Sequence, residues 1–69
     1  MKIELKKTRS KTISYDKYQD LRTAFDWKLI HAERFSSEVE YVKGTKRYIL
    51  RDVCGTRPRL TIEYRSITL

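Results

Sequence analysis

The chain has 69 residues, 39% of them hydrophobic, with 16 lysines and arginines against nine acids and a formal net charge of +7 at pH 7. A single domain of this size buries a small core, which is compatible with a homodimer, and its eight aromatic side chains exclude a disordered basic tail. No stretch approaches the ~20 apolar residues needed to cross a bilayer, so no membrane partner is expected.

Cysteine content and the N-terminal sequence indicate the compartment. Cys54 is the only cysteine, so the chain cannot form an intrachain disulfide of the kind that stabilises small secreted domains. Residues 1–6 lack the apolar run of a secretory signal peptide. We therefore expect a cytoplasmic protein with one small basic domain over residues 1–69.

The first predicted element is a strand. Ile3 and Leu5 alternate with charged neighbours, which predicts a strand over residues 2 to 8 with one solvated face. The basic run over residues 6 to 11 has no apolar face to bury. We expect it to be a solvated loop or the end of a strand.

Helix signals follow this basic run. Either Ser14 is the N-cap, with Ile13 and Tyr18 as a hydrophobic staple, or Asp16 caps and Gln19 completes a capping box. Helical periodicity then predicts a helix over about residues 16 to 34, with a core-facing stripe made of Tyr18, Leu21, Ala24, Phe25, Leu29, Ala32 and Phe35.

Residues 27–34 also fit a second interpretation. Trp27, Leu29 and His31 alternate as they would in a strand, and Trp27 lies outside the helical stripe together with Ile30. Under this alternative the helix ends near Asp26 and the sheet contains a longer meander. The content of Ala, Leu, Lys, Glu and Arg favours the helix, and propensity is a weak guide.

The C-terminal half predicts three strands and two turns. Residues 39–42 and 48–50 flank residues 43–46 as in a hairpin, with Gly44 supplying a positive φ. Residues 54–58 form a second turn before a strand in which Leu60, Ile62 and Tyr64 alternate with polar residues. The apolar positions then shift to Ile67 and Leu69, which predicts a bulge near Arg65 and Ser66.

These elements predict an α+β domain with two layers. Their order is β-α-β-β-β, with one long helix packed on a mainly antiparallel sheet of about four strands. A lone helix and a one-sided sheet must bury their apolar faces against each other.

Charge is distributed unevenly along the chain. Residues 1–13 carry a formal charge of +4, residues 14–42 carry −2, and residues 43–69 carry +5. Two basic ends around an acidic middle indicate an extended anionic partner, of which nucleic acid, DNA or RNA, is the commonest. We therefore expect a non-enzymatic protein that grips the phosphate backbone.

The candidate contacts lie on the predicted outer sheet face and in the N-terminal basic run. If Leu60, Ile62 and Tyr64 face the helix, the arginines between them face outward, where guanidinium groups can bind phosphate in two places. An exposed basic face that only protects sheet edges and keeps the protein soluble is the alternative. The candidates are Lys6, Lys7, Arg9, Lys11, Lys46, Arg47, Arg51, Arg57, Arg59 and Arg65.

The predicted helix carries as many acidic as basic residues, which disfavours a helix-turn-helix protein that inserts a basic recognition helix into the major groove. Trp27 and Ile30 are candidates for a protein contact, since Trp is enriched at interface hot spots. They could equally complete the core or a dimer interface. The second functional hypothesis is therefore a small inhibitor or adaptor, of the type encoded by phages and mobile elements, that binds an acidic host protein.

Enzymatic chemistry has little support in the sequence. His31 is the only histidine, and one His with one Cys cannot form a structural zinc site. A Cys54 thiolate with His31 as base is conceivable, although a lone small Cys is usually a core filler. A ribonuclease using His31 with Glu33, Arg34 or a tyrosine is the remaining exception to a non-enzymatic function. We expect no metal and no cofactor.

Overall fold

A computed structural model describes residues 2–68 and shows one short helix and five antiparallel strands. The elements in chain order are β1 (Lys2–Thr12), α1 (Tyr15–Ala24), β2 (Lys28–Glu33), β3 (Ser36–Lys43), β4 (Lys46–Val53) and β5 (Arg59–Thr68). The strands lie side by side in the order β1-β5-β4-β3-β2. The predicted α+β class is confirmed, with a shorter helix and one more strand than expected.

Helix α1 has Ser14, the first of the two predicted caps, as its N-cap. The Ser14 side chain accepts a hydrogen bond from the Lys17 amide at 3.2 Å, which satisfies one of the amides left unpaired in the first turn. Ile13 precedes the cap and Tyr18 follows it in the first turn, and both are buried in the core as a hydrophobic staple. The Asp16 alternative for the cap is therefore wrong.

The prediction that the helix continues to residue 34 is also wrong, and the alternative with a longer meander is correct. The chain becomes extended at Phe25, where φ is −131° and ψ is 162°. Trp27 folds back on the helix and its Nε1 donates to the carbonyl oxygen of Leu21 at 2.7 Å. Pairing of β2 with β3 then outweighs helix propensity, and the stripe residues Leu29 and Phe35 become exposed.

The core is small and lies between α1 and the centre of the sheet. Ile13 and Tyr18 pack with three strand residues, Val39, Leu50 and Leu60, which lie side by side on β3, β4 and β5. Leu50, on the central strand, is 1% exposed. The core thus depends on a few side chains, as expected for a domain of this length.

Strand β1 is longer than predicted. The basic run over residues 6 to 11 lies inside this strand, because β5 pairs with it from Lys2↔Thr68 to Thr12↔Arg59 and backbone pairing needs no apolar side chain. Strand β1 forms one edge of the sheet, and its charged side chains suit an edge that must resist pairing with other chains.

The prediction of a bulge near Arg65 and Ser66 is wrong, because the irregularity lies on the partner strand β1. The register shifts between Leu5 and Lys7 of β1, opposite Tyr64 and Arg65, while β5 itself continues regularly. Ile67 therefore lies on the face opposite to Leu60 and is exposed. Leu69 of this prediction lies outside the described residues.

Replacement of the capping serine tests the start of α1. Ser14→Ala should lower the free energy of unfolding by about 1 kcal/mol, because one amide of the first turn loses its acceptor. Urea titration followed by Trp27 fluorescence measures this change. Ser14→Asp, which restores an acceptor, should stay within a few tenths of a kcal/mol of the parent protein. An equal loss in both variants would show that the cap does not stabilise the helix.

Candidate nucleic-acid interface

The two faces of the sheet carry different sets of charged residues. Directly paired residues of antiparallel strands share a face, and residues alternate between faces along each strand. One face carries α1 and is called the helix side; the opposite face has no helix on it and is called the outer face. The register assigns every strand residue outside the irregularities to one of these two faces.

The outer face carries four of the predicted arginines, as the alternation in β5 indicated. These are Arg47, Arg51, Arg59 and Arg65. Three glutamates share that face on β3 and β5, namely Glu38, Glu40 and Glu63. These seven residues together keep only one net positive charge.

Arg47 is the most compensated of the outer arginines. Its Nε donates to Glu40 Oε2, and its Nη1 donates to Glu63 Oε1 at 3.2 Å. The hydrogen bond to Glu40 raises the pKa of Arg47 above its ordinary value, with burial opposing the shift and Glu63 adding to it. Arg51 lies 3.8 Å from Glu38. Arg47 and Arg51 therefore each have a carboxylate partner on a neighbouring strand.

Two outer arginines bond to neutral groups. Arg65 Nε donates to the backbone carbonyl of Thr45 at 3.1 Å, which ties β5 to the turn between β3 and β4. Arg59 Nη1 donates to Ser10 Oγ at 3.1 Å and remains exposed. Arg59 keeps its full charge available to a ligand, whereas Arg65 is half-buried.

The helix side carries a different set of cations. Lys7, Arg9 and Lys11 of β1 project there, because they pair with Tyr64, Ile62 and Leu60 respectively. Lys43 and Lys46 flank the turn between β3 and β4 and lie on the same side. We call these five residues the helix-side basic surface. All five are exposed, and within residues 2–68 none of them forms an ion pair.

Three rows of paired residues organise this surface. The rows run across the sheet as Lys7–Tyr64–Lys46–Lys43, Arg9–Ile62–Tyr48–Tyr41 and Lys11–Leu60–Leu50–Val39. No acidic residue occupies any of the three. From β1 to β3 they span about 14 Å, since neighbouring strands are about 4.8 Å apart. Cations thus occupy the β1 end of every row and the β4 and β3 positions of the first row, and the rest of this strip is aromatic and aliphatic.

A groove lies along the β1 end of this strip. It encloses about 390 Å³ and is lined by Arg9, Ser10, Lys11, Leu60, Ile62 and Tyr64. The Tyr64 ring forms part of this wall, and Lys46 Nζ lies 5.5 Å from its centroid. An aromatic wall bordered by unpaired cations can hold a phosphate chain and also stack a base.

The structure does not bring all predicted contacts together. Lys6 lies at the β1 bulge and pairs with Glu4 at 3.0 Å. Arg57 lies in the turn before β5. Lys43 lies on the helix-side basic surface and was not among the predicted contacts, although the predicted hairpin places it across the turn from Lys46. The ten predicted residues are therefore divided between two faces and a turn.

Trp27 and Ile30, the two residues predicted to contact a protein, lie in different environments. Trp27 is half-buried, packs against the core and lies against Phe25 and Tyr41 with ring centroids 6.5 and 5.8 Å away. Ile30 is exposed at the irregularity in β2. Trp27 thus belongs to the edge of the core.

His31, Glu33 and Cys54, three sequence candidates for catalysis, lie in exposed segments. His31 Nε2 lies 2.9 Å from Glu33 Oε1 on the exposed strand β2. Cys54 is exposed in the turn after β4, so its interpretation as a core filler is wrong. Across residues 2–68 the structure contains no group of three His, Cys, Asp or Glu residues that could hold a metal ion.

Comparisons of the chain with protein-family models, with curated proteins and with solved structures gave no match. In the described part of the chain, no helix has the length and apolar character needed to cross a membrane.

Proposed function

We propose that this protein binds nucleic acid through its helix-side basic surface. The observation that supports the proposal most strongly is the difference in ion pairing between the five cations of this surface and the outer arginines. The five helix-side cations have no carboxylate partner within the described residues, whereas two of the four outer arginines are paired with glutamates. Unpaired cations release more counterions from a phosphate chain than cations that already have a partner.

The aromatic strip between these cations favours a role in binding single strands. Tyr64, Tyr48 and Tyr41 are only half-buried, so their rings are partly available to a ligand. Aromatic faces stack on any base, which gives binding with little sequence preference. A duplex has its bases already stacked and offers only phosphates to this surface.

A salt titration tests the proposal. Binding of a labelled single strand should weaken with a slope of about −3 to −4 in log K against log salt, because about five phosphate contacts are made at about 0.7 each. Affinity should then fall about a hundredfold between 50 and 200 mM salt. Fluorescence anisotropy measures both quantities. Absence of binding to single-stranded and duplex probes at about 50 mM salt would refute the proposal.

A second candidate function, binding to an acidic protein, rests on a separate feature. Residues 2–5 of β1 and 65–68 of β5 continue beyond the rest of the sheet as a two-stranded ribbon. Ile3, Leu5 and Ile67 lie on its outer face and are 53, 58 and 46% exposed. The molecule is accordingly elongated, at 43 × 22 × 20 Å, with a radius of gyration of 13.0 Å against about 11 Å for a compact chain of this length.

This ribbon would suit an adaptor or inhibitor, since exposed apolar side chains supply affinity and the neighbouring lysines attract an acidic partner. A pull-down from lysate with and without nuclease treatment separates the two functions. Protein retained after nuclease treatment, and lost in Leu5→Ser, supports the second function. Material that nuclease removes supports nucleic-acid binding.

A further inference from the structure

A cavity at the end of α1 extends the helix-side basic surface. It encloses about 230 Å³ between the helix and the sheet. Its lining consists of Leu21, Phe25, Trp27, Tyr41, Lys43, Tyr48 and Leu60. Leu60 also lines the groove on the β1 side, so the cavity and the groove share a wall.

Four aromatic rings form the body of this cavity. Phe25 and Tyr41 lie 4.9 Å apart between ring centroids, and Tyr41 and Tyr48 lie 6.1 Å apart. Trp27 is fixed by its hydrogen bond to the helix, so its ring is held in place before any ligand arrives. Pre-positioned rings lose little conformational freedom when a flat ligand stacks on them.

Size and charge together restrict the occupant. The volume lies below the range of about 300–1,000 Å³ that is typical of pockets for drug-sized ligands, so the cavity suits a single ring system. Lys43 stands in the lining and Lys46 is its cross-strand partner. These ammonium groups repel a cationic ligand and attract an anion that is attached to the ring.

We propose that this cavity receives one unstacked nucleobase of a single strand while Lys43 contacts its phosphate. The inference rests on the proposed function and specifies its substrate class. A base in a duplex cannot enter without unpairing, which costs a few kcal/mol. The cavity therefore makes the protein selective for single strands, whereas the cations alone would bind both forms.

The test compares a thymidine oligomer of about 12 nucleotides with an abasic oligomer of the same length, which has the same phosphates and no bases. The parent protein should bind the thymidine oligomer about tenfold more tightly, and binding should change Trp27 fluorescence. Phe25→Ala should abolish this preference. Phe35→Ala is the matched control, because Phe35 is exposed on the turn between β2 and β3, outside the cavity.

The outcomes separate the two proposals. A preference for the thymidine oligomer that Phe25→Ala removes and Phe35→Ala keeps supports the base site. Equal binding of both oligomers, or equal effects of the two variants, overturns the base site and leaves phosphate binding intact. Failure of both oligomers to bind overturns the proposed function and the base site together.

Discussion

Reversing two charges on the helix side should lower nucleic-acid affinity by about a hundredfold at 50 mM salt. The variant is Arg9→Glu with Lys46→Glu. Both residues are exposed, neither has an ion-pair partner within residues 2–68, and together they border the aromatic strip from opposite sides. In the proposed complex, each substitution would remove a phosphate contact and place a carboxylate where the phosphate would lie. The slope of affinity against salt should also become shallower by about one to two units.

The matched control makes the same charge change on the outer face. Arg51→Glu with Arg59→Glu alters two residues that are paired across β4 and β5. This control should reduce affinity less than about fivefold, since it changes only the long-range field, which salt screens. Circular dichroism and thermal melting establish that both variants are folded. A larger loss in the control would place the phosphate contacts on the outer arginines, as the sequence pattern predicted.

Removing outer carboxylates gives a complementary comparison. Glu40→Gln with Glu63→Gln removes both negative charges beside Arg47 and leaves amide oxygens that can still accept its hydrogen bonds. The affinity for nucleic acid should then rise only by the amount that two extra positive charges add to the long-range attraction. A gain much greater than that would show that the outer face binds the phosphates directly.

Leu50→Ala should lower the free energy of unfolding by about 2 to 5 kcal/mol. Leu50 is the most deeply buried strand residue of the core, between Val39 and Leu60, and truncation leaves a cavity that the sheet cannot close. A chain of this length is stable by roughly 3 to 10 kcal/mol, so the loss is a large share of the total. Urea unfolding followed by Trp27 fluorescence measures it, and a large unfolded fraction without urea is the extreme result.

Leu29→Ala is the control for this prediction. Leu29 is paired with Val39 on the same side of the sheet and is 60% exposed, so its truncation should change stability by less than about 0.5 kcal/mol. Similar losses in the two variants would mean that the core is not concentrated at the centre of the sheet.

The lengths of α1 and β1 depend on contacts between distant residues, which hydrophobic periodicity along the sequence does not reveal. The helical stripe continued through Leu29 and Phe35, yet the helix ends at Ala24, because β3 offers β2 a backbone partner and Trp27 turns back onto Leu21. The basic run of β1 had no apolar pattern and was predicted as a loop or strand end. It is extended because β5 pairs with it along its length.

In the candidate site, too, some features could be predicted from the sequence and others depend on the fold. Alternation in β5 correctly placed Arg59 and Arg65 on the outer face, because side-chain direction in a strand is a local property. The carboxylates that neutralise Arg47 and Arg51 come from neighbouring strands, and no linear pattern specifies which charges meet across a sheet. The aromatic cavity likewise joins residues of α1, β3, β4 and β5 with the segment after the helix.

The sequence by itself determined the α+β class, the turn with a positive φ at Gly44 and the excess of positive charge, and it narrowed the helix cap to Ser14 or Asp16. Each of these depends on neighbouring residues or on composition. The tertiary structure decided where the helix ends, which strand forms the basic edge, and which cations remain unpaired. Those outcomes depend on strand register, which brings residues distant in the chain into contact, and long-range pairing energies outweigh local propensity where the two conflict.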